Sequence, residues 1–91
     1  VNRTIYLTDV KEQHTVLCAE HLAGALLDTF GKSVRMRPEG ETIRAEIDAP
    51  WEVVHRFLVG NLKHTTLLAP AWRRAQIREE LLSALSTYSQ G

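Results

Sequence analysis

Three residues able to bind metal or activate a thiol recur at i, i+4 and i+7: His14, Cys18 and His21. On a helix this spacing lines all three along one stripe. Two imidazoles and a thiolate suit zinc or copper, and structural zinc takes a fourth ligand, for which His55 and His64 are the candidates. The same stripe sets a base one turn from a thiol, the raw arrangement of a cysteine nucleophile. A small cysteine at the border of an apolar face is explained equally well as packing. No CxxC or HExxH spacing supports the metal, and Gly24, Gly31, Gly40, Gly60 and Gly91 are too scattered to form a phosphate loop. With no reaction-specific motif, the chain reads as a binding protein rather than an enzyme, and nothing in it calls for a cofactor.

Two other groups are basic and aromatic. Tyr6, Arg35, Arg37 and Arg44 fall on one face of the expected strands. An aromatic ring among arginines on an open sheet is one way to stack and clamp single-stranded nucleic acid. Glu46 lies within diagonal reach of Arg35, however, and can neutralise it without any ligand. Trp72-Arg73-Arg74 opens the last expected helix, with Arg78 a turn further on. Cations in a first turn oppose the helix dipole by about 0.3–1 kcal/mol each. Trp and Arg are also favoured interface anchors, so this group reads as a contact surface. The plainer reading packs Trp72 on the core and leaves both arginines solvated.

The elements that must position these groups follow from periodicity. Residues 3–8 alternate polar and apolar and predict a strand, with Ile5 and Leu7 facing inward. Asp9 and Glu12 form a capping box, and the spacing of Val16, Ala19, Ala23, Leu26 and Phe30 predicts one helix from there to Phe30. Gly31 ends it. Residues 33–37 and 42–47 predict a hairpin centred on Glu39-Gly40, with Met36 opposite Ile43, Val34 opposite Ala45 and Arg35 opposite Arg44. Asp48 is the expected cap of a second helix carrying Trp51, Val54, Leu58 and Leu62. Residues 65–68 can form a short edge strand before Pro70. A third helix runs from Ala71 to about Tyr88, with Ile77, Leu81, Ala84, Leu85 and Tyr88 on one side. The order β-α-β-β-α-(β)-α is that of a ferredoxin-like, split-βαβ α+β fold with an added C-terminal helix.

Composition agrees with one domain over residues 1–91. The chain is 44% hydrophobic and 24% charged, which argues against disorder. Eleven basic residues balance eleven acidic ones, so a charged partner must be met by a local patch rather than by net charge. A single cysteine and an N-terminus without an apolar leader favour the cytoplasm, and no run is long enough to span a bilayer. The expected function is therefore a small non-catalytic interaction or regulatory module. It binds another macromolecule, most simply a protein, and pairs with itself through the last helix or the open sheet face. A nucleic-acid binder using the arginine-lined face is the main alternative. Metal handling through His14, Cys18 and His21 is the weaker one.

Overall fold

Alternation along residues 12–19, rather than the helical spacing they also satisfy, decides the first element described. The computed structural model describes residues 11–90. Glu12–Ala19 forms strand β1, burying His14, Val16 and Cys18 on one face. Only after a short 3-10 turn, Glu20–Leu22, does helix α1 run from Ala23 to Phe30. The single long helix expected from residue 10 to residue 30 is thus a strand followed by a helix. Val16 and Ala19 fit a spacing of three and four with α1 by coincidence, whereas Thr15-Val16 and the inward triplet at every second residue suit a half-buried sheet. The strand expected at residues 3–8, the Asp9 cap and Tyr6 all lie outside the described residues.

The hairpin is present, displaced by two residues from its expected register. Strand β2, Val34–Glu39, pairs with β3, Thr42–Ala49, and sets Val34 opposite Ile47, Met36 opposite Ala45 and Arg37 opposite Arg44. Gly40 takes the first loop position at φ 64°, and among the described residues no non-glycine has positive φ. A two-residue loop with positive φ only at its first position demands glycine there, which moves the turn to Gly40-Glu41. A shift of two residues changes partners but not faces. Val34, Met36, Ile43, Ala45 and Ile47 accordingly pack toward the helices as expected.

Helix α2, Trp51–Gly60, follows β3 directly, with Pro50 as its N-cap. The Pro50 carbonyl accepts from the backbone N–H groups of Val53 and Val54 at 3.1 and 3.3 Å. Asp48 remains an exposed residue of β3 and makes no cap, because the proline already fixes the entry geometry. Strand β4, Thr65–Ala69, is real and takes the edge. Helix α3 then runs Ala71–Gln90.

Among the described residues the result is an α+β architecture: an open four-stranded sheet in the order β2-β3-β1-β4, every pair antiparallel, with three α-helices. This is compatible with the split-βαβ expectation. β1 is central, paired with β3 on one side and β4 on the other. Leu26 and Phe30 of α1 meet Val54, Phe57 and Leu58 of α2 over the inner sheet face, and Phe30 and Phe57 pack edge to face with ring centroids 5.5 Å apart. Among the described residues, no helix is long and apolar enough to cross a membrane.

Candidate functional site

Among the described residues, the hydrogen bonds and ion pairs that hold helix α3 to the rest of the chain lie in its first half. Its backbone starts on Pro70, whose carbonyl accepts from the N–H groups of Arg73 and Arg74. Arg73 then turns inward and grips Glu12 of β1 with both ends of its fork, Nε to Oε2 at 2.7 Å and Nη2 to Oε1 at 3.2 Å. Its guanidinium lies 3.9 Å from the centroid of the Trp72 ring and 4.7 Å from that of Trp51, so two indoles flank one cation. The Arg73 guanidinium, more than burial opposes it, holds the Glu12 carboxyl below its usual range.

The other partner of Glu12 is His14, which is fully buried and lies 2.6 Å from Glu12 Oε2 through Nε2. An ionised carboxylate only accepts, so Nε2 carries the proton and donates. His14 Nδ1 has no hydrogen-bond partner among the described residues. Trp51 covers the same imidazole at 5.5 Å and continues to His55 at 5.4 Å between centroids. His55 Nε2 meets both oxygens of Glu80 on α3, at 2.8 and 2.9 Å. A chain of contacts thus links β1, α2 and the first half of α3.

Beyond Glu80, no hydrogen bond or ion pair among the described residues ties α3 to the rest of the chain. Among the described residues of α3, Ile77 alone lies in the core, while Arg78 through Ser89 are all exposed. Leu81, Leu82, Leu85 and Tyr88 stand at 41%, 50%, 61% and 85% exposure, a concentration of apolar surface that a solvated helix has no reason to carry. Beside them lies a groove of about 430 Å³. Leu58 of α2, Leu62 of the 3-10 turn that follows it, Leu67 of β4, and Ile77, Leu81 and Leu85 of α3 form its walls, with Arg74 and Arg78 bordering it. Of the side of α3 expected to be apolar, Ile77 lies in the core, whereas Leu81, Ala84, Leu85 and Tyr88 are exposed.

The predicted site residues separate into three fates. Trp72 is 57% exposed rather than packed on the core, and Arg74 borders the groove, but Arg73 is engaged internally and is not a free anchor. On the outer sheet face Arg35 and Arg37 are exposed. Arg35 stands opposite Glu46, not Arg44 as expected, and the like-charged pair is Arg37 with Arg44. Glu39 offsets that repulsion by accepting from Arg44 Nε and Nη2 at 3.1 and 3.3 Å.

His14, Cys18 and His21 do not converge. On a strand, four residues span roughly 13 Å, so His14 and Cys18 share a face without sharing a ligand. His21 instead meets the ring of His64 edge-on, with centroids 4.8 Å apart. No group of three or more His, Cys, Asp or Glu side chains that could hold a metal ion occurs among the described residues. Cys18 is buried, and burial pushes its thiol up, away from the thiolate a nucleophile needs.

The features missed by sequence reasoning, the Glu12–Arg73 clasp and the groove, join residues far apart in the chain. Glu12 had a local use as a capping-box residue, and nothing near it points to a partner 61 residues away. The groove did leave a trace: the last helix carries more large apolar residues than its one buried position consumes. Neither a family model, nor a curated protein, nor a solved structure matches this chain.

Proposed function

We propose that this chain is a small non-catalytic interaction module on a ferredoxin-like framework, binding another protein and working as a homo-oligomer. The observation that supports it is the distal half of α3, whose apolar side chains stand exposed beside an apolar groove. Burying such surface is the ordinary driving force of association, at roughly 25 cal/mol per Å² of apolar area. The clasp at the head of the helix fits the reading, since it fixes the angle at which that surface is presented. Buried His14, high-pKa Cys18 and separated ligands give catalysis and metal handling no comparable support.

The nucleic-acid reading keeps Arg35 and Arg37, both exposed. It is the weaker one, because Glu39, Glu46 and Asp48 share that sheet face with them. A photoreactive amino acid placed at Leu82, and separately at Arg35, tests the two in cells that make the chain. The interaction module expects a defined protein joined at Leu82 and little at Arg35. Nucleic acid joined at Arg35 in a salt-sensitive manner, with no protein at Leu82, overturns it.

A further inference from the structure

What covers the distal half of α3 is indicated by its charges. From Leu81 to Gly91 the sequence holds no charged residue, yet Leu81 through Ser89 are exposed. A solvated helix face normally carries charges, and a partner of unlike sequence is normally registered by opposite ones. A two-fold axis sets the contrary condition. Close to the axis each patch meets its own copy, so any charge there meets a like charge. The part of that stretch beside such an axis, Leu81 to Leu85, is made of Leu, Ser and Ala and satisfies that condition. The upstream half of the helix supplies the second indication. Arg74 and Arg78 border the groove, and the first turn of α3 contains no acidic residue. For Arg74, in the first turn, such placement is unfavourable for a helix alone, and the last carbonyls of any helix carry partial negative charge. An antiparallel neighbour brings such an end to Arg74 and Arg78, whereas a parallel one does not.

We infer that two copies of this chain pair through α3, antiparallel about a two-fold axis near residue 83, each filling the other's groove with its last turns. Leu81 packs on Leu85 of the partner subunit. Arg78 comes level with Tyr88 of the partner subunit, where a guanidinium can lie over the ring. The inference rests on the interaction reading and names its partner as a second copy.

Sedimentation equilibrium on the whole chain, from about 5 to about 300 µM, is the test, a range suited to an interface at the small end of the stable sizes. The wild type is expected to dimerise within it. Leu85→Glu puts two carboxylates beside the axis and is expected to weaken pairing by about 30-fold or more. Replacing Arg74 and Arg78 together by Glu sets like charge against the partner helix end and is expected to weaken it by about tenfold. Circular dichroism confirms the fold, and Leu85→Ser, which adds no charge, is expected to weaken pairing by a smaller factor. A wild type still monomeric at the top of the range overturns the inference, as does a Leu85→Glu dimer as tight as wild type. A dimer indifferent to the arginine reversal overturns the antiparallel arrangement. If the wild type is monomeric while the Leu82 probe still joins a different protein, self-pairing alone falls. If the pairing behaves as inferred and that probe joins nothing but a second copy, binding of another protein falls instead.

Discussion

At the scale of single residues, Glu12 has the widest reach, because β1, Arg73 of α3 and the buried His14 all meet at its carboxylate. Its carboxyl titrates lower in the folded chain than in the unfolded one. The native state therefore binds fewer protons in acid, and this group's contribution is complete above the ordinary glutamate value of about 4.3 and lost as pH falls through the lower folded value. Urea unfolding in pH steps is expected to show that loss in the wild type. Glu12→Gln should start from lower stability at neutral pH and give a flatter acid limb. Arg73→Ala is expected to cost about 1–3 kcal/mol, since a charged acceptor loses its bidentate donor. Arg73→Lys should restore only part of that, because an ammonium cannot fork onto both oxygens while also lying over Trp51 and Trp72 as the guanidinium does. Equilibrium unfolding of both variants measures the difference.

Among the elements, stability is divided unevenly between the sheet-packed helices and α3. Leu26 of α1 is fully buried, and Leu26→Ala is expected to cost about 2–5 kcal/mol. Leu85→Ala on α3, at 61% exposure, should stay within about 0.5 kcal/mol in dilute solution. Thermal unfolding of the two variants side by side checks the contrast. The same division explains what could be read in the sequence. The faces of β2 and β3 were legible because a period of two survives a register shift of two, and α2 and the edge position of β4 were legible from Pro50, the leucine spacing and Pro70. The register itself was not, since Glu39-Gly40 and Gly40-Glu41 both offer a glycine and only the sign of φ at the first loop position separates them. β1 was hidden because Glu12, Val16 and Ala19 satisfy a capping box and a helical stripe as well as they satisfy a strand. Pairing with both β3 and β4, a non-local term, outweighs that local preference. Of the candidate site, the apolar excess and the dipole-opposing arginines of α3 were visible; the clasp, which depends on β1 being a strand, was not.

For the whole molecule, the uneven attachment of α3 predicts how exchange should be distributed. In dilute solution, amides after Glu80 are expected to exchange with solvent faster than those of α1 and of the first half of α3, because they have few buried contacts around them. Raising the protein concentration should protect those distal amides and raise the melting temperature together, as mass action requires when association favours the folded chain. Hydrogen exchange read by mass spectrometry at two concentrations measures both halves of the helix in one experiment.

The head of α3, fixed by Glu12, Arg73 and two indoles and followed by free helix, also has a mechanical side. A helix rises about 1.5 Å per residue, so the stretch past Glu80 is a lever roughly 15 Å long, clamped at one end. A sideways load on its tip acts with full leverage on two clasps, Glu80 with His55 and Arg73 with Glu12, and on one buried isoleucine, while the strands of the sheet carry almost none of it. Under force the helix should peel away first, as a small and reversible step, and leave the four strands intact behind it.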